Sequence, residues 1–250
     1  MTFIGIENYK ELLKDLTFWR AFRNNIYLTV VCIIGQLGLA FAFAAMLSMR
    51  KVRFKALHRT LSFFPSVLSA VVIGFVWSMI YDFNYGLLNS IFRLAGNTEI
   101  VQDWLNNSSL ALTLSSIPLV WQYIGYYMII ILSAFSSIDP QIFEMAEIDG
   151  ANGLQRAIHI ALPLVKNTLI VCVTLCIAGN MKIFDHIYVM TGGGPGTATT
   201  VMALHAYKTA FHSYKFGYAS AMSLMILVLC LVLIGGSRSA LLRFTRGGDD

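Results

Sequence analysis

An all-α, polytopic membrane protein is the fold class that three observations predict. Of the 250 residues, 57% are hydrophobic and only 12% charged, about half the charge that an ordinary soluble domain carries. Five apolar stretches are each long enough for a hydrocarbon core that takes about 20 helical residues to cross. Lys and Arg are sorted unequally between the loops that join those stretches.

The elements follow in order. Residues 1–23 read as an amphipathic segment outside the membrane, with Leu12, Leu13, Leu16 and Trp19 on one side, lying at the interface. Membrane spans are predicted near 24–49, 60–81, 109–135, 167–190 and 218–236. Pro65 in the second span and the polar cluster ending the fourth are tolerated where helices pack on one another or line a cavity. Phe63, Phe64, Phe75 and Trp77 in the second span read as packing residues and interfacial anchors.

Charge sets the topology. Residues 50–59 hold Arg50, Lys51, Arg53, Lys55 and Arg59 with no acid, the 136–166 loop adds Arg156 and Lys166, and the tail 238–250 adds Arg238, Arg243 and Arg246. The opposite loops, 82–108 and 191–217, hold only Arg93, Lys208 and Lys215. Ten against three puts the 136–166 loop and the C-terminus in the cytoplasm. The net charge of +5 is thus accounted for by topology, and no nucleic-acid partner is expected. Residues 1–23 then lie outside, although Lys10, Lys14, Arg20 and Arg23 follow nothing apolar and no signal peptide is visible.

The 136–166 loop is predicted to be a helix–glycine–helix elbow. Asp139-Pro140 is an N-cap followed by proline at the first helical position. Ile142 and Ala146 share a face, and Gly150 stops the helix by taking a backbone conformation closed to other residues. Asn152 and Gln155 are spaced as a capping box, Leu154, Ile158 and Leu162 form a second apolar stripe, and Pro163 ends it. Glu144, Glu147 and Asp149 sit at or near the knee.

The string Glu144-Met145-Ala146-Glu147-Ile148-Asp149-Gly150-Ala151, with Leu162-Pro163 beyond it, resembles the cytoplasmic "EAA" loop of the membrane subunit of bacterial ABC importers. Met145 replaces the first of two alanines in that pattern and Ala157 a frequent phenylalanine; both keep an apolar surface. The resemblance implies that the elbow (Glu144, Ala146, Asp149, Gly150, Ala151, Leu162, Pro163) docks in a cleft of a separate ATPase, with Glu144 facing a basic residue there. It also implies a type I ABC importer fold. The implied partners are a second permease subunit forming a heterodimer, two cytoplasmic ATPase subunits that bind ATP and Mg, and an extracellular solute-binding protein. This chain itself takes no cofactor and no metal.

Two further strings carry the resemblance. Phe3-Ile-Gly-Ile-Glu7-Asn8-Tyr9-Lys-Glu-Leu-Leu is similar to the external segment that follows the first membrane helix of carbohydrate-type permeases, in which six helices are usual. The chain is therefore expected to lack that first helix, through a misplaced start, a truncation or a genuine loss. The stretch from Asn180 to Gly196, ending Thr191-Gly-Gly-Gly-Pro195-Gly196, resembles a signature of one of the two paired permeases of carbohydrate importers. Its glycines lack the Gly-Lys-Ser/Thr ending of a phosphate loop. Two readings stay open for it, a flexible external turn and a contact for the binding protein.

Polar side chains buried in a membrane usually line a path. Gln36, Gln122 and Asn180 fall near the middle of three spans, where amides could bond sugar hydroxyls. Gln36, beside Gly35 and Gly38, reads as interhelical packing. Gln122, Tyr126 and Asn180 match family positions that line the sugar site, which the resemblance carries over to them as a substrate pathway. Lys182 and Asp185 complete that pathway nearer the outer surface, where they are placed to pair with each other.

Other classes are disfavoured. The five histidines are scattered and no nucleophile has a base beside it, so no catalytic set emerges. Cys172 and Cys176 share a helix face without His or carboxylate neighbours and read, like Cys32 and Cys230, as small buried hydrophobes. A secondary transporter would need coupling-ion sites and usually paired repeats, and neither is seen. The expectation is a permease subunit of an ATP-driven, binding-protein-dependent importer in the bacterial cytoplasmic membrane, in contact with lipid. Its cargo is a sugar or a small polar solute such as glycerol phosphate.

Overall fold

The computed structural model describes residues 5–48 and 52–246. Phe3, Arg50 and Lys51, named above, lie outside the described residues, and no strand occurs among those described. The helices are α1 (Glu7–Lys14), α2 (Leu16–Cys32), α3 (Gly38–Ser48), α4 (Lys55–Val67), α5 (Ala70–Ile80), α6 (Leu87–Leu94) and α7 (Ala111–Ser136). They continue as α8 (Pro140–Ile148), α9 (Gly153–Gln155), α10 (Leu162–Leu164), α11 (Lys166–Met181), α12 (Asp185–Met190), α13 (Met202–Phe211) and α14 (Phe216–Arg246). A π-helical stretch, Ile33–Leu37, joins α2 to α3 without a break, and another, Arg156–Ala161, joins α9 to α10.

Among the described residues, three helices are single runs long and apolar enough to cross a membrane: Leu16–Ser48, Ala111–Ser136 and Phe216–Leu242. The count rises to five if the interrupted pairs α4–α5 and α9/α10–α11 are each one span. The boundaries differ from the hydropathy reading in instructive ways. The first span begins at Leu16 because Asp15 caps it, its Oδ1 accepting from the N–H groups of Thr17 (2.8 Å) and Phe18 (3.1 Å). The same break separates Leu12 from Leu16. Leu12 is fully buried while Leu13 and Leu16 are exposed, so these residues do not form the shared apolar face expected of them. The fourth span stops at Met181 rather than 190, for a reason given below. The fifth runs on as one helix through the predicted tail to Arg246.

The described residues fall into two compact units. One holds the N-terminal residues to Val31 with 69–119 and 177–236. Within it α5 packs on α12, where a Cβ on Gly74 would lie 3.3 Å from Val189. Tyr81, Trp104 and Met190 form a core onto which Trp77, Leu88 and Phe92 pack. Asn89, fully buried, organises the loop there: its Oδ1 accepts from Trp104 Nε1 (2.7 Å) and its Nδ2 donates to the carbonyls of Phe83 and Gln102.

Asp15 ties three helices of this unit together. Its Oδ2 accepts from His205 Nε2 on α13 and from the Tyr218 hydroxyl on α14, both at 2.9 Å. Burial pushes its carboxyl pKa up, but the bonds from His205, the Phe18 N–H and Tyr218, with the adjacent imidazole, leave it below the ordinary carboxylate value. A depressed folded-state pKa adds stability above the unfolded-state value and loses it as pH falls through the folded one. Acidification is therefore expected to lower the melting temperature, with a smaller acid dependence in Asp15→Asn and a lower value at neutral pH. An acid limb identical in the variant and the wild type would exclude Asp15 as its source.

The other unit holds 32–68, 120–176 and the residues from Ser237. Close approach of helix backbones builds it. A Cβ on Gly35 would meet Val120 Cγ2 at 2.9 Å, whereas Gly38 faces open space. Phe41 meets Phe135 edge to face at 5.5 Å. At Gly125 of α7 a Cβ would run into the Ser62 carbonyl of α4, so only glycine lets these two helices touch there. Gly125→Ala should push them apart and cost about 1–3 kcal/mol or more, measured as a fall in the melting temperature of the purified protein. An unchanged melting temperature would show that α4 moves aside freely.

Candidate coupling elbow and substrate pathway

The elbow is assembled from local bonds. Asp139 accepts from the Gln141 N–H at 2.9 Å with Pro140 at the first helical position, and starts α8. Gly150 sits at φ +81°, which lets the Ala151 N–H reach the Ala146 carbonyl (2.9 Å) and the Gly150 N–H reach that of Glu147 (3.2 Å). That pair of bonds is a Schellman motif and closes the helix on its last free carbonyls. Asn152 and Gln155 form the reciprocal capping box at 2.8 and 2.9 Å. The chain then passes through the π-helical stretch to Val165, where the next helix turns away by 78°. Arg156 Nη1 meets Glu147 Oε2 at 3.0 Å across the knee, an exposed pair that adds little stability by itself.

What stands out is what this loop leaves uncovered. Ile148 is 86% exposed, Leu154 68% and Met145 63%, while Glu144, Glu147 and Asp149 are exposed beside them. Ala146 is buried, Ala151 half-buried, and Leu162 and Pro163 exposed. A rigid knee with apolar side chains in the open and carboxylates around them has the composition of a docking surface.

The pathway candidates separate between the two units. Gln122 and Tyr126 belong to one, Asn180, Lys182 and Asp185 to the other. Gln122 is buried, and its Nε2 donates to the Leu68 carbonyl at 3.0 Å, in the gap between α4 and α5. Leu68 and Ser69 have extended backbone, so that carbonyl lies at a helix end with no partner from the next turn. Tyr126 is partly exposed and meets Tyr127 edge to face at 5.1 Å. Gln36 Oε1 accepts from Cys176 Sγ at 3.5 Å, and Cys32, Cys172 and Cys176 are all fully buried. Lys182 and Asp185 are both exposed and do not pair with each other among the described residues. The chain between them, residues 182–184, is non-helical and carries them apart at the break between α11 and α12.

The glycine signature is a bonded structure. Lys208 Nζ donates to the Gly192 carbonyl (2.6 Å), Thr200 Oγ1 to that of Gly193 (3.0 Å) and Thr199 Oγ1 to that of Gly194 (2.8 Å). Gly192, Gly193 and Gly196 all have positive φ. Two residues absent from the sequence reading complete it. Asn24 Nδ2 donates to the carbonyls of Ala198 (3.0 Å) and Thr200 (2.9 Å), and Asn25 Nδ2 to those of Asn180 (2.7 Å) and Met181 (3.4 Å). Two adjacent amides near the head of an apolar run were the available signal, since buried amides need partners.

The family of binding-protein-dependent transport system inner membrane components matches residues 36–238. The chain belongs to that family. A probable ABC transporter permease of Pyrococcus horikoshii is 38% identical over 93% of this chain and 79% of that protein. The multiple sugar-binding transport system permease MsmF of Streptococcus mutans is 32% identical over 91% and 77%. The trehalose/maltose permease MalF of Thermococcus litoralis is 31% identical over 92% and 76%. The fold matches a bacterial ABC transporter that imports the acidic polysaccharide alginate, with TM-score 0.86 at 20% identity, over 97% of this chain and 85% of that one. As an inner-membrane component of this family the chain is a transport subunit, and the elbow occupies the middle of the matched region.

Proposed function

We propose that this ABC permease moves a sugar or related small polar solute across a bacterial cytoplasmic membrane by alternating access, with the elbow as its coupling point. The observation that carries the reading is the elbow itself: a knee locked by a cap, a Schellman motif and a capping box, with Ile148 and its acidic neighbours exposed. Such a surface fits a cleft in a cytoplasmic ATPase, with Glu144 toward a basic residue. Two ATPase subunits bind ATP and Mg, and their closure moves the elbow. A second permease completes the path as a heterodimer, and an external solute-binding protein delivers the cargo. The loops rich in Lys and Arg support a cytoplasmic side for the elbow and the C-terminus. Several relatives have names that specify sugars, among them trehalose/maltose and lactose, which supports a carbohydrate cargo. Gln122, Tyr126, Asn180, Lys182 and Asp185 line its path in this reading.

The test is to express the chain with its genomic neighbours, purify it by a tag on its C-terminus and reconstitute it in vesicles. ATP-dependent accumulation of a saccharide that needs the binding protein supports the reading. A chain that copurifies with no ATPase and moves no solute overturns it.

A further inference from the structure

Asn25 is fully buried in the unit that holds α2 to Val31, the end of α11 from Ile177 and all of α13, and its one side chain serves the ends of two other helices. Its Nδ2 donates to the carbonyls of Asn180 and Met181, the last two residues of α11. Its Oδ1 accepts from the N–H of Met202, the first residue of α13, at 2.9 Å. Both ends carry backbone groups that no helix can satisfy from within. A continuing α11 would pair the Asn180 carbonyl with the N–H of Phe184, four residues on. That carbonyl instead takes the amide of Asn25 at 2.7 Å and the N–H of Ile183 at 3.4 Å, and the helix stops. Asn24, one position earlier, holds the carbonyls of Ala198 and Thr200 in the same way, and Thr29 Oγ1 donates to the Asn25 carbonyl at 2.7 Å, within α2.

We infer that Asn25, seconded by Asn24, is a positioning residue for transport: its amide anchors the end of α11 at Met181 and so sets where Asn180, Lys182 and Asp185 present themselves to the solute. Only a side chain with a donor and an acceptor on one carbon can cap the C-terminal end of α11 and the N-terminal end of α13 together. Aspartate keeps the acceptor and loses the donor, serine is too short to span both, and leucine has neither. The role rests on the importer reading, because it assigns Asn25 to the path rather than to the fold alone.

The decisive measurement is hydrogen exchange on the assembled transporter in lipid nanodiscs, for wild type, Asn25→Asp, Asn25→Leu and Asn25→Ser. In Asn25→Asp the end of α11 loses its anchor, so the amides of 182–185, of which that of Ile183 bonds the Asn180 carbonyl at 3.4 Å, should exchange about tenfold faster as the segment loosens, while that of Met202 keeps its bond to the side chain at position 25. Asn25→Leu should release both segments, and Asn25→Ser stands in if the buried carboxylate prevents assembly. In vesicles offered trehalose, maltose or lactose, the apparent KM of the variants should rise by about tenfold with ATPase activity retained. Unchanged exchange at 182–185, or faster exchange spread evenly over all helices, overturns the inference, as does an unaltered KM in a variant with a loosened break. A wild-type complex that moves none of the three sugars counts against the carbohydrate reading instead, and leaves the exchange result to judge Asn25.

Discussion

Gly150→Val should abolish uptake while leaving the protein inserted and folded. The substituted Cβ would meet nothing within 4 Å, so the effect comes entirely from the backbone. At φ +81° an ordinary L-residue costs roughly 1–2 kcal/mol, and a β-branched one more. Relieving that strain rotates the knee and breaks the bonds from Ala151 to Ala146 and from Gly150 to Glu147. The exposed side chain of Ile148 and the carboxylates around it then lose their fixed relation to the helix beyond Asn152. Expected results are loss of ATP-dependent uptake and at least tenfold weaker retention of the ATPase on the purified complex, worth 1.4 kcal/mol. Gly150→Asn, which tolerates the left-handed region, should keep most of both. Wild-type uptake in Gly150→Val would remove the elbow from the mechanism.

Gln122→Leu should have two effects. It takes the donor from the part-buried Leu68 carbonyl, which should cost about 1 kcal/mol, seen as a lower melting temperature. If the residue also bonds the solute, as proposed, apparent affinity falls about tenfold, at 1.4 kcal/mol per decade. Asn180→Leu tests the same role at the end of α11. The bonds that hold the end of α11 go to the backbone carbonyl of Asn180 and not to its side chain, so the substitution leaves them in place. It should raise the apparent KM about as much as Gln122→Leu does, and ATPase activity without solute should survive in both. Lower stability with unaltered affinity in both variants would sink the pathway assignment and leave the amides as helix staples.

The parts of the molecule that follow from the sequence are those held by near neighbours. Asp139-Pro140, Gly150 and the Asn152–Gln155 box each act over three or four residues, and each appears in the structure where its residue type puts it. Three of the long apolar runs are also single helices where hydropathy puts them, because their length and apolar character depend on composition rather than on a partner. The failures come from remote causes. The end of α11 is imposed by Asn25, 155 residues earlier in the chain, and no periodicity within 167–190 records it. The break at Asp15 is anchored by His205 and Tyr218, 190 and 203 residues away. The expected pairing of Lys182 with Asp185 assumed an unbroken helix between them. The glycine run looked like a loose turn because its restraints come from Lys208, Thr199, Thr200 and Asn24.

The gap at Leu68–Ser69 bears on how the chain enters the bilayer during synthesis. Its two half-helices have 13 and 11 residues and rise about 20 Å and about 17 Å at 1.5 Å per residue, each short of a hydrocarbon core of about 30 Å. Neither half can settle across the membrane as it leaves the ribosome. The donor for the Leu68 carbonyl emerges 54 residues later, on α7, together with Gly125, which seats Ser62. Residues 55–80 are therefore expected to gain the last of their backbone partners only when α7 arrives, so that the order of translation bears on how this stretch matures.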